Sequence, residues 1–144
     1  EQESVNLENI FTKRSKFEPI FSSNLTSATY LDIIGNYMIR KCFTCFRLGS
    51  HRLEIELGRL TCIARESRLC KVCNINVETE YHVLLCCLKY SNIRSKYLNT
   101  AWPSINKFVS FMSSKNVKVL NNLSKFILEL HIVRKLALHQ ITVL

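Results

Sequence analysis

The sequence is poor in glycine and proline and has no long apolar run. Only 3 glycines and 2 prolines occur in 144 residues, and no glycine cluster is present that could cradle a phosphate. The longest uninterrupted apolar stretch is Val83–Leu88, far below the roughly 20 residues of a transmembrane helix. No basic and then apolar leader begins the chain. We therefore expect neither membrane insertion nor secretion, and an intracellular location, nuclear or cytoplasmic.

Acidic residues are scarce relative to basic ones. The chain has 20 Lys and Arg against 11 Asp and Glu, which gives a formal net charge of +9. The excess is concentrated between Arg40 and Lys71, where eight basic residues stand against three acids. This balance favours a polyanionic partner, RNA or DNA.

Patterns that carry enzymatic chemistry are also missing. We find no paired acidic metal site and no nucleophile–base arrangement. Tyr30-Leu31-Asp32 begins like a polymerase Tyr-x-Asp-Asp turn, but Ile33 stands where the second metal-binding aspartate belongs. We expect no catalytic residues in this chain.

The hydrophobic content of 47% indicates a globular protein, and 144 residues are enough for one ordinary core. We expect residues 1–28 to form a polar arm or linker and residues 29–144 to form a single, mostly helical domain. The predicted fold is mainly α, with a small β-hairpin zinc knuckle inserted at 68–90. Starting at Glu1, the chain is expected to be a piece of a larger protein.

Hydrophobic periodicity and turn residues predict the elements of this domain. Gly49 is expected to end the first helix. Alternation over 51–59 favours a short extended piece, with a single helical turn as the alternative. Helices are predicted over 28–48, from 78 or 79 to 85, from about 90, over 105–112 and over 117–138. The last of these is expected to carry a core stripe: Leu120, Leu123, Phe126, Ile127 and Leu130. A hairpin is expected within 63–77, where Asn74 and Asn76 suit the turn.

The seven cysteines are odd in number and partly at metal-ligand spacing, which favours a reducing compartment over a disulfide framework. Cys70-x2-Cys73-x8-His82-x4-Cys87 offers three thiolates and one imidazole, the ligand set of a closed, structural Zn²⁺ site. By spacing alone Cys86 is an alternative to Cys87. Five residues at 100° each overshoot a shared helical face by about 140°, so His82 and Cys87 meet only if the helix bends or loosens.

Cys42-Phe-Thr-Cys45 is a second pair at this spacing. With His51 and Cys62 it could form a second zinc site, and a redox pair is a further alternative. A redox pair needs a helix N-terminus to lower the thiol pKa, whereas these cysteines precede a helix C-terminus. We predict that both fill the core.

Two stretches carry a resemblance to a known family. One is Arg68-Leu-Cys70-x2-Cys73 followed by Glu78-Thr-Glu80-Tyr-His82-x4-Cys87-x2-Tyr90-x3-Arg94. The other is Phe46-Arg47-Leu-Gly-Ser-His51-x-Leu53-x-Ile55-Glu56-x-Gly58-Arg59. Together they resemble the C-terminal zinc-knuckle region of non-LTR retrotransposon reverse transcriptases, over about residues 30–130. In that family the last ligand is usually the cysteine of His-x4-Cys, which favours Cys87, although Leu88 replaces the usual proline.

The resemblance implies a role in holding template RNA or target DNA for polymerase and endonuclease parts that this chain lacks. Candidate nucleic-acid contacts are the basic residues near the knuckle: Arg47, Arg52, Arg59, Arg65, Arg68 and Lys71. Tyr81, Tyr90 and Arg94 lie nearby in sequence. The alternative is a structural or protein-interaction zinc domain that packs on the polymerase part without touching nucleic acid.

Three polar residues have expected roles around this site. Glu80 is expected either to orient the imidazole of His82 or to be a solvated acid at a helix start. Glu56 is expected to form an orienting ion pair with an arginine, and His51 to be a hydrogen-bonded structural residue.

Overall fold

The described residues form a mainly helical fold. The structure, a computed structural model, describes residues 28–98 and 105–141, so the predicted arm at 1–28 lies outside it except for Ala28. Its α-helices are α1 (Tyr30–Ile33), α2 (Tyr37–Arg47), α3 (Glu54–Leu60), α4 (Ser91–Tyr97), α5 (Ile105–Met112) and α6 (Val117–Ile141). Short 3-10 turns span Arg65–Ser67 and Leu88–Tyr90, and a π-helical turn spans His82–Cys86.

The predicted knuckle hairpin is present only as one antiparallel bridge, which joins Leu69 and Val77. Within residues 28–98 and 105–141 no longer strand occurs. The mainly α prediction is therefore confirmed for the described part of the chain. No helix there is both long enough and apolar enough to cross a membrane.

The single helix predicted over 28–48 is divided into α1 and α2. Ile34 leaves the helical conformation with ψ 91°, and Asn36 begins α2 by accepting a hydrogen bond on its side chain from the Ile39 N–H at 3.1 Å. An asparagine in this position replaces a missing backbone partner, which favours a new helix start. At the other end Gly49 has φ 67° and the Ser50 N–H bonds to the Cys45 carbonyl at 2.8 Å, so the predicted stop is confirmed.

The extended piece predicted over 51–59 is wrong, because α3 begins at Glu54. The Glu54 N–H donates to the carboxylate of Glu78 at 2.7 Å, so a residue distant in sequence caps this helix. Gly58 permits close packing of the helix, since a Cβ there would lie 2.5 Å from Cγ of Arg68. Neither contact is visible in the local pattern of apolar residues.

Helix α6 provides the main face of the core. It packs against α1, α2, α4 and α5. The apolar stripe predicted for it is fully buried at Leu120, Leu123, Phe126, Ile127 and Leu130. Phe43 and Phe46 of α2, and Phe108 and Met112 of α5, are buried in the same cluster. The helices thus form a scaffold to which the knuckle segment is attached.

A buried ion pair joins α6 to the knuckle segment. Arg134 donates from Nε to Oε1 of Glu78 at 2.9 Å and from Nη2 to Oε2 of Glu78 at 2.8 Å. The same Nη2 also bonds to Oε1 of Glu54 at 2.9 Å. The Glu78 side chain has no exposed surface, so its charge depends on these partners and on the Glu54 N–H.

We predict that Arg134→Leu destabilises the zinc-loaded protein by about 3–5 kcal/mol, because it leaves the Glu78 carboxylate buried without its cation. Chemical denaturation measures the loss. Lys135→Leu, at the exposed neighbouring position, is the matched control and should change stability by less than about 0.5 kcal/mol. Equal stability of the two variants would contradict a structural role for the pair.

Candidate metal centre

Cys70 and Cys73 lie on a tight turn closed by backbone hydrogen bonds. The Cys70 N–H donates to the Asn76 carbonyl at 2.8 Å, and the Asn74 N–H donates to the Cys70 carbonyl at 2.7 Å. Asn74 has φ 55°, the left-handed conformation that asparagine tolerates, as its place in the sequence predicted. The turn holds the two cysteine backbones so that both sulfurs face the same side.

His82 and Cys87 are brought together by a helical turn that is wider than an α-helical one. Thr79 caps the start of this segment, accepting on Oγ1 from the His82 N–H at 3.0 Å. At its end the Cys87 N–H donates to the His82 carbonyl at 2.7 Å, a bond from residue i to i+5 that defines a π turn. This is the loosening that the five-residue spacing required. It places Cys87 next to His82.

The four predicted ligands form one cluster. The sulfurs of Cys70, Cys73 and Cys87 and a ring nitrogen of His82 all lie within 4.8 Å of one another. Sγ of Cys73 is 3.4 Å from Nε2 of His82. Ordinary Zn–S and Zn–N bond lengths in a tetrahedron give an S···N separation of about 3.6 Å, so the cluster has the right size. These residues are positioned to hold a metal ion, and their chemistry is compatible with Zn²⁺.

The electrostatics of the sulfurs indicate a place for a cation. A hydrogen bond to Cys87 and burial raise the pKa of Cys70 to about 12. The same bond lowers the pKa of Cys87, against an opposing effect of burial. The backbone N–H groups of Cys73 and Val72 act to lower the pKa of Cys70, and that of Lys89 acts to lower the pKa of Cys87. Backbone donors of this kind stabilise the ionised form of a cysteine. Several thiolates so close together repel one another, so all of them can be ionised simultaneously only when a cation is bound between them.

Cys86 does not belong to the cluster. Its thiol is half-buried and receives a hydrogen bond from Tyr81, while burial raises its pKa. The group of ligand atoms includes Cys87 and not Cys86. The structure therefore distinguishes two cysteines that spacing alone left open.

The second metal site, which the sequence left as an alternative, is not formed by the described residues. No further group of three or more Cys, His, Asp or Glu side chains at metal-binding distance occurs among them. Cys42 packs against the core, as predicted, whereas Cys45 is half-buried and does not belong to the core cluster. Cys62 is exposed. Both ring nitrogens of His51 are engaged, Nε2 with Oε1 of Glu80 at 2.9 Å and Nδ1 with the Leu53 N–H at 3.3 Å.

Glu80 is buried and contacts His51 through Oε1, so the alternative of a solvated acid at a helix start is wrong. Thr79 contacts the backbone N–H of His82, a role that the sequence analysis did not assign to it. A threonine three positions before a helical residue is a known signal for such a cap. His51 is a hydrogen-bonded structural residue, as predicted.

Several candidate nucleic-acid contacts are engaged within the fold. Arg68 donates to the backbone carbonyls of Ile55 at 3.0 Å and Ile63 at 2.7 Å. The guanidinium of Arg47 lies over the Tyr30 ring, 5.1 Å from its centroid. Arg65 is half-buried in its 3-10 turn. These three side chains bond within the fold or are partly buried, which limits the contacts that they can make with nucleic acid.

The remaining candidates are exposed. Arg59 keeps 64% of its side chain exposed while it pairs with Glu56 at 2.8 Å, the orienting ion pair expected of that glutamate. The Lys71 side chain is 46% exposed, and its Nζ lies 3.9 Å from Oε2 of Glu54. Arg52 is exposed next to His51. Arg52, Arg59 and Lys71 can therefore reach a partner in solution.

A scan against protein-family models and searches of curated proteins and of solved structures found no match to this chain. The function of the site is therefore inferred from its geometry and the chemistry of its residues.

We predict that the purified protein binds one Zn²⁺ per chain. Cys73→Ser should lose the metal and the native circular-dichroism spectrum, because metal binding supplies folding free energy. Elemental analysis and circular dichroism measure both. A wild-type protein that folds cooperatively without metal would refute the site.

Two control variants test which cysteines bind. Cys86→Ser should retain one Zn²⁺, since its sulfur lies outside the cluster. The double variant Cys42→Ala/Cys45→Ala should also retain one, at a stability loss of a few kcal/mol at most. A metal content that falls from two to one in the double variant would reveal a second site.

Proposed function

We propose that this chain is a zinc-stabilised nucleic-acid-binding module, the C-terminal part of a non-LTR retrotransposon reverse transcriptase, which positions RNA template or target DNA. The observation that carries the proposal is the Cys3His cluster, whose ligand atoms lie within 4.8 Å of one another. Four protein ligands leave no open coordination position, so Zn²⁺ here would be structural and not catalytic. The resemblance of the knuckle and its upstream segment supports the origin.

The knuckle would act by position. The Leu69–Val77 bridge is flanked by hydrogen bonds from the Cys70 N–H to the Asn76 carbonyl and from the Glu78 N–H to the Arg68 carbonyl, at 2.8 and 2.9 Å. We take this short antiparallel segment as the hairpin of the knuckle, held together by the metal. A rigid knuckle keeps the basic side chains around it in a constant arrangement.

Exposed cations close to the knuckle would supply the affinity. Arg52, Arg59, Lys71 and Lys89 are exposed; Lys71 directly follows the candidate ligand Cys70, and Lys89 lies two residues after Cys87. Each phosphate that such a side chain neutralises releases counterions, which favours binding and makes it weaken as salt increases. An unpaired base could stack on a nearby aromatic ring, of which Tyr81 is the half-buried candidate next to His82.

A second candidate function is a zinc domain that packs on the polymerase part. The inward-turned guanidinium of Arg68 favours it, because part of the positive charge is used inside the fold. Exposed apolar residues on α6 favour it as well: Ile132 has 51% and Leu136 has 59% of its surface exposed, and they lie one helical turn apart. Nucleic-acid binding distinguishes the two candidates.

We predict that the protein binds RNA or DNA with an affinity that falls as the salt concentration rises. In Arg52→Ala/Lys71→Ala the slope of log K against log salt should become shallower by about one to two. The expected slope of log K against log salt is about −0.9 per phosphate contact on duplex DNA and about −0.7 on single strands. Fluorescence anisotropy with labelled RNA, single-stranded DNA and duplex DNA measures it. Zinc content should stay at one per chain.

The charge-matched control is Lys118→Ala/Lys125→Ala, which removes two exposed cations from α6. It should leave the slope within experimental error of the wild type. An unchanged slope in Arg52→Ala/Lys71→Ala and a flattened one in the control would move the contact surface to α6. Absence of binding by the wild type at low salt would favour the protein-interaction domain.

A further inference from the structure

Arg94 of α4 binds the end of the π turn. Its Nε donates to the Leu84 carbonyl at 2.8 Å, and its Nη2 donates to the Cys87 carbonyl at 2.9 Å. Nη2 also lies 3.5 Å from the Val83 carbonyl. The last carbonyls of a helical segment have no partner within the helix, and a cation there is favourable. One guanidinium thus contacts three backbone carbonyls within and just after the π turn, those of Val83, Leu84 and Cys87.

The conformation that Arg94 holds decides which cysteine faces His82. In a regular α-helix four residues turn by about 400°, so Cys86 would lie within about 40° of His82, and Cys87 would not. The π turn takes up one additional residue and brings Cys87 to the cluster instead. The wide turn orients the Leu84 and Cys87 carbonyls toward the same guanidinium. A side chain that bonds to both carbonyls at once therefore stabilises the wide turn.

The same guanidinium is the nearby positive charge for both candidate sulfurs. Arg94 has electrostatic interactions with Cys86 and with Cys87. Cys86 also has its hydrogen bond from Tyr81, which gives the sulfur that is not selected a partner of its own. The charge of Arg94 therefore does not favour one cysteine over the other as a ligand. The hydrogen bonds from its guanidinium to the backbone carbonyls do, because they stabilise the wide turn.

We propose that Arg94 is a positioning residue that sets the register of metal ligation, keeping Cys87 and not Cys86 on the metal. The inference rests on the proposed metal site and goes beyond it, since the four ligands alone do not specify the register. The sequence analysis had placed Arg94 near the possible nucleic-acid contacts. Its three backbone contacts assign it to the metal site.

The test is a double-mutant cycle of Arg94→Gln and Cys86→Ser, with the Zn²⁺ dissociation constant of the full chain measured by competition with a chelator. Arg94→Gln alone should weaken Zn²⁺ binding about 10- to 100-fold, the range found when groups behind a ligand are removed. Cys86→Ser should change the dissociation constant less than about twofold in the wild type. In the Arg94→Gln background it should weaken binding at least about fivefold, because Cys86 then competes for the metal.

A spectroscopic readout identifies the ligand directly. With Co²⁺ as the probe, the intensity of the thiolate-to-metal absorption reports how many sulfurs bind. Cys87→Ser should lose the three-sulfur absorption, as removal of any ligand does, whereas Arg94→Gln/Cys87→Ser should recover it through Cys86. A role of Arg94 in stability alone would not restore a sulfur ligand.

Arg94→Lys keeps the charge but loses the fork, so it serves if Arg94→Gln does not fold, and the same coupling to Cys86→Ser is expected. Lys96→Gln, which removes an exposed cation of the same helix, is the control and should show no coupling. An equal effect of Cys86→Ser in every background, together with a wild type that binds one Zn²⁺, would overturn the role of Arg94 and leave the metal site standing. A wild type that binds no metal would instead overturn the proposed function itself.

Discussion

The hydrogen bond from the Cys87 N–H to the His82 carbonyl is the constraint on which the metal centre depends. At 2.7 Å and five residues apart, it widens the helix by one residue and carries the fourth ligand to the other three. An α-helical bond in its place would put Cys86 there and leave the two cysteines of the knuckle turn with a different partner. A π turn is an uncommon departure from the α-helix, and here the guanidinium of Arg94 bonds to its carbonyls.

Three consecutive residues before His82 connect this site to the helical scaffold. Glu78 caps α3 and pairs with Arg134 of α6, Thr79 caps the turn that contains His82, and Glu80 binds His51. Each side chain forms hydrogen bonds with a different part of the molecule. The two glutamates among them, Glu78 and Glu80, are buried. A metal ion held at this cluster would be positioned by the core and would restrain it in turn, which would couple folding to metal binding.

The net charge of +9 overstates the charge that is available to a partner. Arg68, Arg94 and Arg134 direct their guanidinium groups to backbone carbonyls or buried carboxylates. Arginine suits this use because its planar fork satisfies several acceptors at once. Counting basic residues in a sequence cannot separate these from exposed cations such as Arg52, since burial is decided by distant parts of the chain.

The sequence by itself determined three of the four candidate ligands, the mainly helical fold, the α6 core stripe and the stop at Gly49, because spacing, periodicity and turn chemistry are local properties. It did not determine the break between α1 and α2 or the helical state of 54–60, since Glu78 caps α3 from a distance of 24 residues. The choice of Cys87 over Cys86 likewise needed the tertiary structure. Both spacings are allowed locally, and the decision lies in a wide turn held by a side chain from another helix.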